Sequence, residues 1–120
     1  ASVFPEANIE IVEKHHNQKL DVPSGTALLL AHRIQEALTD TVRLVGRHEN
    51  GKRTAKEIGI HSLRLGNEVG THEIIIATGA ETITLKHEAE NRSLFANGAL
   101  AAAKFLEGKP AGLYSMQDII

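Results

Sequence analysis

The 120 residues contain no cysteine and no tryptophan, and only one tyrosine and three phenylalanines. Without cysteine the chain has no disulfide, thiolate metal site or thiol nucleophile, and the composition fits a cytoplasmic setting. Few aromatics leave little on which bases could stack. A net charge of −2 lacks the basic excess of a nucleic-acid surface, so no nucleic-acid partner is expected. No stretch approaches the roughly 18 apolar residues of a membrane span, and no signal peptide is read, so no membrane partner is expected. The pattern Gly-x-Gly-x-x-Gly is also absent, and with it the dinucleotide-binding fingerprint. What remains is a chain that is 42% hydrophobic, with a core resting on Ile, Leu, Val and Ala. That is enough for one packed core.

Periodicity predicts strands near residues 8–12, 41–45, 57–65, 71–77 and 81–88, and helices near 24–38 and 93–106. The first strand should end near Glu13, where the sequence turns polar. The last three strands, joined by short turns, read as an antiparallel meander. The expected class is therefore α+β: a mixed, largely antiparallel four- to five-stranded sheet with a helix on one face and a C-terminal helix. Apolar residues such as Leu63 and Ile75 on the other face predict a second cover, another subunit, and so oligomerisation through that face. Residues 46–53 match a phosphate-loop pattern except at Arg53, but the strand that follows favours a mobile charged loop. Ser93 is the expected cap of the last helix, and Gly108 and Pro110 its stop.

The most informative stretch joins His15, His16 and Lys19 to the turn Pro23-Ser24-Gly25-Thr26, which opens a helix. Helix entrances expose unpaired N–H groups and the positive end of the macrodipole, a ready seat for a carboxylate or phosphate. Ser24 and Thr26 add hydroxyls, and Lys19 a full charge. Histidine exchanges protons near neutral pH, and a nearby lysine disfavours the imidazolium and eases release of its proton. A proton donor beside an anion clamp is the chemistry these residues suggest. His61, His72 and His87 fall on neighbouring strands and raise the idea of a metal site. They lack metal-ligand spacing, so no metal is expected.

The run Glu13-x-His15-His16-x-x-Lys19-x-Asp21-x-Pro23-Ser24-Gly25-Thr26-Ala27 resembles the signature of the dihydrodipicolinate reductase (4-hydroxy-tetrahydrodipicolinate reductase) family. Further matches are Glu57-Ile58-Gly59-Ile60-His61-Ser62-Leu63-Arg64, Val69-Gly70-x-His72-Glu73, Asn91-Arg92-x-x-Phe95-Ala96-x-Gly98-Ala99 and Gly108-Lys109-x-x-Gly112-Leu113-Tyr114-x-Met116-x-Asp118. The resemblance spans essentially the whole chain. It implies the C-terminal portion of a two-domain, usually homotetrameric oxidoreductase of lysine and diaminopimelate biosynthesis. In that family NADPH or NADH delivers hydride to a cyclic dicarboxylate, 4-hydroxy-tetrahydrodipicolinate, giving tetrahydrodipicolinate. His15 would be the general acid, with Lys19 beside it in the chemistry. His16, Lys19, Ser24, Gly25, Thr26 and, more weakly, Arg92 would contact substrate, Arg92 also lying near an interdomain hinge.

The cofactor site would lie outside these residues. Residues 1–91 would form the substrate-binding and oligomerisation domain. Residues 92–120 would be a helix and tail returning to the dinucleotide domain, which would explain the apolar helix. Alone, the chain is expected to catalyse nothing. One loop difference, Leu65-Gly66 in place of two glycines, is expected not to touch the site. Two other classes stay open, a nucleotide-independent small-anion binding module and a pure assembly domain.

Overall fold

The computed structural model describes residues 1–120. In chain order it contains β1 (Asn8–His15), α1 (Gly25–Ala37), β2 (Val42–Val45), β3 (Glu57–Arg64), β4 (Gly70–Ala77), β5 (Thr82–Ala89), α2 (Ser93–Leu106) and a 3-10 turn (Met116–Asp118). The chain divides into two compact units, Ala1–Glu88 and Ala89–Ile120.

The strands form one mixed five-stranded sheet in the order β2-β3-β1-β4-β5. β1 is central: it runs parallel to β3 and antiparallel to β4, while β2 runs parallel to β3. The α+β class therefore holds, but the expected meander does not, because β1 is inserted between β3 and β4. The short turn after β3 does not form a hairpin; it crosses the end of β1. Leu65 N–H donates to the His15 carbonyl at 3.0 Å, and Asn17 N–H donates to the Gly66 carbonyl at 3.1 Å. The Leu65-Gly66 loop thus touches the motif, through backbone, contrary to expectation. Gly66 turns at φ +50°, in the left-handed region that favours glycine.

Alternation along β1 sorts its side chains onto two faces. Ile9 and Ile11 point into the core with Ile58 and Ile60 of β3 and Ile76 of β4, and all five are buried. Ala27, Ala31 and Ile34, spaced one turn apart on α1, close over them. The alanines let the helix approach the sheet closely. Each buried isoleucine contributes about 1.5–3 kcal/mol of burial. The same inward parity continues through Glu13 and His15, so β1 runs two residues past its expected end, paired with β3 through His15 and with β4 through Lys14.

The opposite face carries Glu10, Gly59 and His61. Glu10 lies over Gly59, where a Cβ would fall 1.4 Å from Oε2. Arg47 Nη2 donates to Glu10 Oε1 at 2.6 Å, and Arg47 Nη1 to Glu57 Oε2 at 2.7 Å. Arg53 donates to the Ile9 and Glu57 carbonyls at 2.9 and 2.6 Å. The loop expected to be mobile is thus anchored by its arginines, which face carboxylates and carbonyls and do not form a phosphate cradle.

The second unit holds α2, none of whose residues is buried. Its cap is Arg92, not Ser93, and makes no side-chain bond; Asn91 Oδ1 instead accepts from Ser93 N–H at 2.8 Å. Beyond it, Tyr114 packs edge-to-face on Phe105, with ring centroids 6.1 Å apart. Its hydroxyl donates to the Pro110 carbonyl at 2.7 Å.

Candidate functional site

Where β1 leaves the core, its two inward positions after Ile11 carry ionisable groups, Glu13 and His15, instead of isoleucine. In the paired register Glu13 lies opposite Ser62 on β3 and His72 on β4. Glu13 has no exposed surface. Its Oε1 accepts from Arg64 Nη1 at 2.6 Å, and its Oε2 lies 2.9 Å from His15 Nδ1 and 3.9 Å from His72 Nε2. Neither Oε2 nor Nδ1 completes a hydrogen bond, so the 2.9 Å contact sits off the ideal line. The His15 and His72 rings meet edge-to-face, centroids 5.2 Å apart.

The electrostatics follow from this packing. Burial pushes the Glu13 carboxyl up, but the nearby hydroxyls of Ser24 and Ser62, together with the hydrogen bond and charge of Arg64, outweigh it and hold it below the usual range. Burial pushes His15 down; Glu13 opposes this, while Lys19 and Arg64 add to it. Burial likewise lowers His72, aided by His15. His15 is thus a histidine that sheds its proton readily, steadied by a single carboxylate.

The helix entrance lies alongside. Ser24 adopts φ −64°, ψ 156°, and its Oγ accepts from Ala27 N–H at 3.2 Å, which makes it the N-cap of α1. The same Oγ lies 3.2 Å from His72 Nε2, and Ser24 is 3% exposed. The Ser24 hydroxyl therefore links the helix cap to the histidine cluster. Gly25 and Thr26 are exposed, and no acidic residue occupies the first turn of α1. A groove of about 360 Å³ adjoins this entrance, lined by Thr26, Leu30, His72, Ile74, Leu85 and Lys86 among others.

Lys19 pairs with Asp21 at 2.9 Å. His16 Nδ1 accepts from Gln18 N–H at 3.2 Å, a local turn contact. The structure thus gathers His15, Ser24 and, through its charge, Lys19, while Arg92 belongs to the second compact unit. His61, His72 and His87 do not converge: His61 alternates with buried Ile60 and faces outward, 3.3 Å from Glu10 Oε2.

A different set, Glu13, His15 and His72, brings its ligand atoms within 4.8 Å of one another. These are donor types a divalent ion accepts, but Arg64 on Glu13 and Lys19 near His15 oppose a second cation there. Glu13, Arg64 and His72 had no assigned part in the site. The available signal was parity: a carboxylate two and four residues beyond Ile11 and Ile9 occupies a core position.

The family model for the C-terminus of dihydrodipicolinate reductase matches residues 1–120. The 4-hydroxy-tetrahydrodipicolinate reductase of Clostridium novyi is 51% identical over 121 residues, 100% of this chain and 48% of that protein. That of Caldanaerobacter subterraneus is 48% identical over 122 residues, 100% of this chain and 49% of that protein. Among solved structures, the dipicolinate-bound dihydrodipicolinate reductase from Paenisporosarcina sp. TG-14 matches with a TM-score of 0.73 and 29% identity, over 99% of this chain and 48% of that one. The chain spans about half the length of these relatives.

Proposed function

The chain belongs to the dihydrodipicolinate reductase family, matching its C-terminal part, and from this we propose that it is the substrate-binding half of a 4-hydroxy-tetrahydrodipicolinate reductase. In this reading it seats the cyclic dicarboxylate and supplies the proton. A dinucleotide domain outside these residues holds NADPH or NADH, and the nicotinamide, when bound, supplies the hydride.

The observation that carries the reading is the adjacency of an easily deprotonated histidine to the exposed N-terminal turn of α1. The exposed Gly25 and Thr26 open α1 with no acid in its first turn, so their N–H groups and the Thr26 hydroxyl can donate to one carboxylate. Lys19, held by Asp21 on the surface, exchanges that partner for a substrate carboxylate. His15 gives its proton as hydride arrives at the ring, so that charge never accumulates on the product. His16 flanks Lys19 and contacts substrate, while Ser24 acts through the shape of the turn. Arg92 serves substrate or hinge, and α2 returns to the dinucleotide domain. The outward sheet face, with Leu63 40% exposed, assembles the homotetramer.

The test is calorimetric titration of the chain with pyridine-2,6-dicarboxylate, beside K19A. Losing a charge-assisted bond of about 1.5–3 kcal/mol weakens binding by roughly 10- to 150-fold. Equal binding by both chains would remove Lys19 from the clamp. Absence of binding even after a dinucleotide domain is joined would leave only the assembly role.

A further inference from the structure

We propose that Glu13, clamped by Arg64, is a positioning residue for His15: it fixes the imidazole with Nδ1–H toward the carboxylate and leaves Nε2 as the proton-exchanging atom. This deepens the proposed function and rests on its assignment of His15 as proton donor.

The argument begins with what holds Glu13. Arg64 Nη1 donates to Glu13 Oε1 at 2.6 Å and to the Leu63 carbonyl at 2.8 Å, and Nη2 donates to the Asp21 carbonyl at 3.0 Å. Three acceptors thus fix the guanidinium, and the guanidinium fixes the carboxylate. The other oxygen, Oε2, is fully buried, has no completed hydrogen bond, and lies 2.9 Å from His15 Nδ1. An ionised carboxylate only accepts, so a lone pair on Nδ1 facing it at that distance would be repelled. The ring must carry its proton on Nδ1, and a small rotation completes the bond.

The far edge of the ring is fitted as closely. A Cβ on Gly70 would lie 3.3 Å from Nε2, so the ring occupies the space a side chain there would need. The Leu65 N–H bond to the His15 carbonyl fixes the backbone. The charged or titratable groups facing His15 are Glu13 on its own strand, Arg64 from β3, His72 from β4 and Lys19 from the following loop.

Long-range 1H–15N NMR of the neutral His15 ring tests this directly. In the unaltered chain the proton is expected on Nδ1; in E13Q part of the population moves to Nε2, and E13D restores some of the bias. A ring protonated on Nε2 in the unaltered chain overturns the proposal, and that arm requires no variant to fold. An E13Q ring with an unchanged tautomer ratio also overturns it. With the dinucleotide domain present, E13Q is expected to lower kcat on the order of 10- to 100-fold, part of the 10²–10⁴ a positioned general acid contributes. The falling high-pH limb should move to lower pH, with KM little changed. If H15Q keeps full kcat, the proton-donor assignment fails, and the tautomer result judges Glu13 separately.

Discussion

Glu13 and Arg64 stand 51 positions apart in the sequence and meet at 2.6 Å where β1 and β3 leave the core. Removing only the cation strands a carboxylate with no exposed surface. R64M is expected to destabilise the chain by about 3–5 kcal/mol, and E13Q added to R64M to recover part of the loss. Urea denaturation of the two variants checks this, and equal stability for both would refute it. Folding holds the Glu13 carboxyl below its ordinary value. Its stabilisation is therefore complete above the unfolded pKa of about 4.3 and is lost as pH falls through the lower folded value.

His15 and His72 give a second, separate pH window. Both are lowered by burial, so between the folded values and the unfolded pKa of about 6.5 the unfolded chain binds more protons. Stability should decline as pH falls below about 6.5, before the carboxylates matter. Thermal melts across pH 5–7.5 are expected to show a shallower decline for H72Q than for the unaltered chain. Parallel slopes would show that His72 does not titrate with unfolding.

G25P separates helix formation from anion binding. Ser24 already has the extended backbone that a following proline demands, and a Cβ at position 25 meets nothing within 4 Å. Proline is well accommodated as the first helical residue, so stability should stay within about 1 kcal/mol. The lost N–H should weaken pyridine-2,6-dicarboxylate binding by roughly 2- to 10-fold, from a net bond worth about 0.5–1.5 kcal/mol. G25A, which keeps the N–H, should bind as the unaltered chain does. Unimpaired binding by G25P would remove that N–H from the clamp.

On the outward face, G59A and E10A should not add. A Cβ at position 59 must displace the Glu10 carboxylate from Arg47 and His61, so both substitutions break the same contacts. Each is expected to cost about 1 kcal/mol, and the double variant clearly less than their sum. Additive losses in a denaturation cycle would show that Glu10 relaxes without leaving its partners.

Much of the fold was legible because its signals are local. Ser24 before an apolar stripe at helical spacing announced α1, and β-branched alternation announced each strand near its observed place. The order of strands was not, since turn chemistry at residues 65–69 is the same whether the chain makes a hairpin or crosses a third strand. Only the stability of parallel Ile9–Ile58 and Ile11–Ile60 pairings, with Ile74 and Ile76 on the other side, places β1 in the middle.

The site divides in the same way. Contiguous residues determined its chemical character: two histidines, a lysine and a helix entrance occupy one short run, and their proximity needs no tertiary structure. Glu13, Arg64 and His72 come from three strands and meet only because pleating turns the same parity of each inward at the same end of the sheet. The sequence alone determined which groups could carry proton and anion. The tertiary structure decided that one histidine would pack against a clamped carboxylate, because only the paired strands bring these residues to one end of the sheet and exclude water from the carboxylate they share.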